Sequence, residues 1–473
     1  MNAEVRPLHA VPVPAAESAK LLPPPSVPMD VARAFAAMEF LHPDGQPTLR
    51  HWRGGWWDWQ RSRYVEIESR AVRARAYEFT EHARFERTNK KSGETEAVGW
   101  APNRSKISDL LEALAAVTHL ADDVSQPGWI ATPDAPTGVI VSFENGLLDV
   151  GTKTLLPHDP RFFNQTACPF VFDPYAPPPA RWLRFLGELW PDDEDSIAAL
   201  QEWFGYVISG RVNLHKMLLL VGPTRGGKGA IARILGALIG RENVAGPTLS
   251  SLATGFGLST LIGKPLAVIS DARLPAARSS QVVVERLLAI SGEDTIDIDR
   301  KYRDPWTGKL PSRFMVLSNE LPKLGDASAA IAGRFVTLQL ELSWLGKEDH
   351  ELEPELHSEL PGILNWALDG LERLTERDRF TQPASTDEAM TTLQDLASPV
   401  GAFVRDCCER GPHEVDVDEM WKAWKDWAAD NGHHAGTKQT FGRDLRAAVP
   451  SVRVRRHREA DSRRRIYFGV KIA

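Results

Sequence analysis

A chain of 473 residues, 42% hydrophobic and 25% charged, has the length of two to four domains and the balance of an ordinary soluble globular protein. Its net charge of -7 does not mark a nucleic-acid binder, although an average leaves room for a local basic patch. Cys168, Cys407 and Cys408 match neither a zinc spacing nor a disulfide framework, no apolar run reaches the ~18 residues of a membrane span, and the N-terminal residues lack the apolar core of a signal peptide, so a cytoplasmic protein is expected.

Residues 1–30 carry seven prolines without an apolar period and read as a disordered tail. Residues 31–205 read as an α+β region. RGGWWDWQRSRYVEI (53–67) alternates around turn glycines like a hairpin, and KISDLLEALAAVTHL (106–120) has helical spacing. Trp52, Trp56, Trp57 and Trp59 could stack on bases, but core packing is the preferred reading. Helical text runs from Arg181 to Ser209.

Within a domain read as 206–375, strands and helices alternate from about 214 to 345: LLLV, a helix from Gly229 to Leu238, PLAVIS, a helix from Ser280 to Ser291, then RFMVLS and RFVTLQL. Such alternation implies a mostly parallel sheet covered by helices, an α/β class. A helical stretch at 354–374 breaks at Pro361, and 376–398 reads as a polar linker before a C-terminal unit at 399–473.

The segment KMLLLVGPTRGGKGA (216–230) carries the main chemistry. Gly222, Gly227 and Lys228 fall on the phosphate-loop template between a strand and a helix, with Pro223, Thr224, Arg225 and Gly226 between them. Glycines let backbone N–H groups curl around phosphates, the helix N-terminus adds a favourable dipole, and the lysine reaches the outer phosphates. The template then asks for Ser or Thr to help hold magnesium, but this chain has Gly229 and Ala230. The departure bears on hydrolysis more than on nucleotide binding. ATP and Mg2+ are the expected cofactors.

PLAVISDAR ends a second strand at Ser270 and Asp271, where a carboxylate would face the metal or the attacking water. RFMVLSNELP ends a third at Asn319, and Arg334 follows fifteen residues later. Between these strands, IDIDRKYRDPWTGKLPSRF (296–314) turns through Lys301 and Tyr302, a cation and a ring suited to a passing phosphate backbone. Taken alone, that segment reads as a solvated charged hairpin.

With these residues in view, the chain resembles superfamily III helicases, the AAA+ motors of small DNA viruses, phages and plasmids. DRKYRDPWTGKLPSRFMVLSN resembles the hairpin and sensor segment of papillomavirus-type helicases; NGLLDV, HDP (158–160), ALQEWFGYVISG and GILNWALDGL resemble the poxvirus and phage-plasmid primase-helicase branch. The resemblance implies that Lys228 and the backbone of 222–230 hold phosphates. It matches Asp271 to the second acid of a metal-side pair, with Ser270 in place of the first, Asn319 to the polar sensor, and Arg334 to a finger serving the adjacent subunit. Lys301 and Tyr302 match the hairpin tip that tracks single-stranded DNA, and Lys309 the basic residue before the sensor strand. It also implies a ring hexamer; such relatives often carry a primase domain, but no paired-aspartate polymerase motif appears here, so a helicase without its own primase active site, working with a separate primase, is expected.

From 431 to 473 there are eleven Lys/Arg against three Asp/Glu. Helices followed by a basic hairpin resemble a winged helix. Lys438 and Arg443 would approach DNA on a helix, with Arg453, Arg455, Arg456, Arg463, Arg464 and Arg465 as the wing; a solvated hairpin is the alternative. Trp421, Trp424 and Trp427 read as a core stripe. The expected function is an ATP-driven replicative helicase of a mobile element in a bacterial host, acting on single-stranded and origin DNA. A nucleotide-binding origin-assembly or repressor ring with little hydrolysis is the main rival, and a nucleotide kinase is the other.

Overall fold

The computed structural model describes residues 20–88, 93–124, 126–130, 132, 135–270, 277–301, 305–322, 330–459 and 462–473. They fall into two units, one of residues up to 134 with 159–165, the other of 135–158 and 166–473.

In the first unit, α1 (Pro28–Glu39), α2 (Ser69–Glu81) and α3 (Arg104–Val117) share an apolar cluster built on Val31, Phe35, Phe79, Ile107 and Leu110. Beside them lie the antiparallel meander of β1 (Leu49–Trp52), β2 (Gly55–Gln60) and β3 (Arg63–Ile67) and the hairpin of β4 (Arg84–Thr88) with β5 (Thr95–Gly99). Trp52 and Trp57 pack with Tyr64 around Phe163, the Trp52 and Phe163 rings lying 5.1 Å apart, so these tryptophans are core. Residues 20–30 depart from the expected tail. Leu22 is buried, its N–H donates to Arg84 O at 2.8 Å, and Pro23 O accepts from Trp100 Nε1 at 3.2 Å. Arg84 N donates in turn to Lys20 O at 2.9 Å, so one apolar anchor and this short run of hydrogen bonds dock the segment before α1 begins at Pro28. Residues 1–19 lie outside the described residues.

The second unit opens with a meander of β6 (Ile140–Phe143), β7 (Gly146–Asp149) and β8 (Thr154–Leu156). The helical text at 181–209 forms two helices, α4 (Ala180–Leu189) and α5 (Glu194–Ile208). The break falls where Asp193 caps α5, its Oδ1 accepting from Ser196 N at 3.0 Å. The sheet that follows comprises β9 (Met217–Val221), β10 (Val244–Ala245), β11 (Leu266–Ile269), β14 (Arg313–Ser318) and β15 (Phe335–Gln339). All its pairings are parallel, in the order β10-β11-β14-β9-β15. Every residue of β9 and β14 is buried, as expected of parallel strands covered on both faces. One face packs on α5, α6 (Lys228–Ile239) and the later helix α9 (Leu360–Arg377), the other on α7 (Ala277–Ser291). A small hairpin, β12 (Ile296–Ile298) with β13 (Trp306–Gly308), precedes β14.

Helix α8 (Leu352–Ser358) precedes α9, and Pro361 sits in the first turn of α9, where its missing N–H costs nothing. The expected linker also differs: α10 (Asp387–Ala397) is a helix whose Ala389, Leu393 and Ala397, spaced by four, are buried, Leu393 and Ala397 within the sheet's second cluster. The last residues form α11 (Pro399–Cys407), β16 (Cys408–Asp416), α12 (Val417–Asp430), α13 (Lys438–Ala448), β17 (Arg453–Glu459) and β18 (Ser462–Ile472), with sheet order β16-β18-β17. Trp424 is buried in their core and stacks on Phe441 at 5.6 Å. Among the described residues no helix is long and apolar enough to cross a membrane.

Candidate nucleotide site

Strand β9 lies between β14 and β15, and the loop 222–227 leaves its carboxyl end to enter α6. In open parallel sheets this is where ligands sit. The glycines there are steric requirements. A Cβ on Gly222 would lie 2.5 Å from Leu340 O, and one on Gly226 would lie 2.9 Å from Pro223 O. Gly227, at φ +89, is the left-handed residue before α6. Arg225 bends the loop at φ +60.

Lys228 turns back into the loop. Its Nζ donates to Gly222 O at 2.5 Å, Pro223 O at 2.8 Å and Asn319 Oδ1 at 3.1 Å, and burial pushes its pKa down. Asn319 reaches it because β9 and β14 pair in parallel with Val221 opposite Ser318. Ser270 ends β11 at the same edge and is exposed, while Asp271 lies outside the described residues. Thus Lys228 and Asn319 are brought together, with the loop backbone of Pro223, Thr224 and Arg225 around them. Buried Ala230 anchors the first turn of α6.

A second set of residues, which the sequence reading missed, closes over this loop. Ser343 Oγ donates to Thr224 O at 2.7 Å and Trp344 N to Arg225 O at 3.2 Å. The acid-rich run beyond them pairs with three arginines: Glu348 with Arg225 at 3.5 Å, Glu353 with Arg233 at 2.9 Å, and Asp349 and Glu355 with Arg181, each at 2.9 Å. Glu359 accepts from the N–H groups of Arg181 and Trp182 at 2.9 Å, capping α4. Arg181, Arg225, Arg233, Glu348, Asp349 and Glu353, with Phe185, Trp344 and Leu352, line an open cavity of about 970 Å³ above Lys228. A helix N-terminus, a lysine, two aromatic rings and displaceable arginines can receive an anionic ligand with a planar, apolar end. The only advance signal was the acidic run 348–355 itself, whose partners are distant in sequence.

On the loop side Gly229 offers magnesium no side-chain oxygen, and a Cβ there would lie 3.0 Å from Arg233 Nη1; no cluster of three or more His, Cys, Asp or Glu suited to a metal occurs among the described residues.

Other expected site residues lie elsewhere. Arg334 precedes β15, whose Phe335 pairs with Met217 at the start of β9, so it occupies the edge opposite the loop. Five residues of β15, roughly 17 Å of strand, separate it from Lys228's edge. There Arg334 donates to His215 O at 3.4 Å, and Lys309 lies 4.0 Å from Glu293. Lys301 is exposed, 5.7 Å from the Phe256 ring; Tyr302 lies outside the described residues. In the C-terminal part, Lys438 pairs with Asp418, Arg443 with Asp444 at 2.9 Å, and Arg455 with Glu414 at 3.8 Å while stacking on Phe468. Arg453 binds Pro450 O at 2.5 Å, and Arg464 and Arg465 are exposed. The register sets Arg456 opposite Arg465 and Arg458 opposite Arg463.

Three family models match parts of the chain. Residues 49–191 match a family described as D5 N terminal like, residues 220–334 a family of unknown function (DUF5906), and residues 397–469 a family described as Poxvirus D5 protein-like. Among solved structures, the NrS-1 C-terminal region is 12% identical, with a TM-score of 0.49 over 89% of this chain and 96% of that one. The JCV helicase is 17% identical, with a TM-score of 0.24 over 46% of this chain and 66% of that one. The two D5-type matches, each over less than half of the chain, support a likeness to proteins of the primase-helicase, superfamily III helicase type.

Proposed function

We propose that this protein is an ATP-driven replicative DNA helicase. The observation that carries the reading is the convergence of Lys228, Asn319 and the glycine loop at the carboxyl edge of one parallel sheet, beneath a cavity sized for a nucleotide. The triphosphate would occupy the loop, drawing Lys228 Nζ from Gly222 O and Pro223 O onto the outer phosphates. Asn319, already within reach of Lys228, would orient the attacking water or the terminal phosphate.

The position of Arg334 favours a ring. On the far sheet edge it cannot reach its own loop, but it is available to the site of an adjacent copy, where a cation would stabilise the charge that develops in phosphoryl transfer. A homo-hexamer follows from that assignment and the resemblance. Lys301 and Lys309 would then touch single-stranded DNA, and the C-terminal helices and basic hairpin would act as a winged-helix-like DNA grip. The exposed Arg464 and Arg465 on that hairpin support this, because such cations can neutralise backbone phosphates. Primer synthesis would fall to a separate primase.

The test is strand separation. Wild-type protein with ATP should unwind a labelled DNA fork, while Lys228→Ala and Arg334→Ala should not. Gly229 favours a second reading, a ring that binds ATP and DNA and barely hydrolyses. Fork binding without unwinding by the wild type would select it.

A further inference from the structure

Gly229 and Arg233 occupy one face of α6, a turn apart, directly behind Lys228. Gly229 has ordinary helical backbone, with no left-handed φ to demand glycine, so the absent hydroxyl is not a cost of loop geometry. The space above it is taken: a Cβ at Gly229 would lie 3.0 Å from Arg233 Nη1. Helical side chains lean toward the N-terminus, which brings the guanidinium at 233 back over the turn that faces the phosphate loop. Arg233 lines the same cavity as Lys228, its side chain is 55% exposed, and its Nε is held by Glu353 Oε1 at 2.9 Å.

We propose that Arg233 is a phosphate-binding residue that replaces the missing loop hydroxyl. It would leave Glu353 and donate to the phosphates of a nucleoside triphosphate from the side where the usual residue helps hold magnesium. A guanidinium forks onto phosphate oxygens bidentately and carries its own positive charge, so binding through it does not require the metal as intermediary. Gly229 provides the room and Arg233 the charge, and the two form a matched pair. The inference rests on the reading of 222–230 as a phosphate loop.

The test is equilibrium binding of a fluorescent non-hydrolysable ATP analogue to the full chain, in magnesium and in EDTA. The proteins are wild type, Lys228→Ala, Arg233→Ala, Arg233→Lys and the double variant Gly229→Ser/Arg233→Ala. Arg233 is half-exposed, so its variants should melt like the wild type. Arg233→Ala should weaken binding in EDTA about tenfold or more, as expected for a lost charged hydrogen bond, with Arg233→Lys in between. In the double variant the serine should restore binding in magnesium but not in EDTA, a rescue that loss of the Glu353 contact alone could not produce. Wild-type affinity of Arg233→Ala in EDTA overturns the proposal, and so does a serine rescue that is equal in EDTA. If Lys228→Ala loses binding while Arg233→Ala does not, the phosphate loop stands and only the Arg233 assignment falls. If Lys228→Ala binds like the wild type, the phosphate-loop reading falls too.

Discussion

At the scale of single residues, the loop separates glycines that are sterically required from one that is not. Gly222→Ala would drive a methyl to 2.5 Å from Leu340 O on the buried strand edge, a backbone clash that cannot be relieved by a side-chain rotation. It should cost about 1–3 kcal/mol, as overpacking does, and lower the melting temperature measured by calorimetry. Gly229→Ser meets only the end of the Arg233 side chain and should leave the melting temperature within about half a degree of wild type, a few tenths of a kcal/mol in a chain this size. Sequence alone exposes the template positions Gly222, Gly227 and Lys228 but treats all the loop glycines alike. Which one is free depends on Leu340 and Arg233, and spacing carries no information about either. Asn319 is legible as the end of an apolar strand. The ammonium–amide contact between Lys228 and Asn319 is not, because it depends on which strand β14 neighbours.

At the scale of elements, helices α5 and α9 are locked by a buried carboxylate. Glu202 is fully buried and accepts from Arg373 Nε at 2.8 Å, Thr381 N at 2.7 Å and Thr381 Oγ1 at 2.9 Å. Glu202→Ala leaves the guanidinium and two further donors without their acceptor, and should destabilise the protein by about 3 kcal/mol, read from a shifted urea midpoint at unchanged slope. Arg313 performs a similar service at the other end of α5. It is almost fully buried, donates to Val207 O at 3.0 Å, Gly210 O at 3.1 Å and Pro311 O at 2.7 Å, and burial pushes its pKa down to about 10. The sheet strands were legible because a strand covered on both faces is a continuous apolar run, as in LLLV and RFMVLS. The acidic clasp was not, because a segment rich in Glu and Asp reads as solvated loop until its arginines are known. The helix α10 was missed for a related reason. Its small apolar stripe, Ala389, Leu393 and Ala397, is diluted by Thr, Gln and Asp on the outer faces.

At the scale of the whole molecule, the account divides labour between the loop-bearing sheet and the basic C-terminal sheet. If β17 and β18 grip DNA through backbone phosphates, affinity should fall with salt in proportion to the phosphates neutralised. The double variant Arg464→Ala/Arg465→Ala should weaken DNA binding uniformly across sequences, and should lower the slope of log affinity against log salt by about 2 in fluorescence anisotropy. An unchanged slope would return the hairpin to a solvated surface.

The central claim is that nucleotide turnover in one copy is coupled to DNA and to the next copy. Steady-state ATP hydrolysis, with and without single-stranded DNA, tests it most directly. The account predicts strong stimulation by DNA in the wild type, abolished by Lys228→Ala, and abolished by Arg334→Ala although that variant still binds ATP through its own intact loop. ATP binding with no DNA-stimulated turnover in the wild type would contradict it.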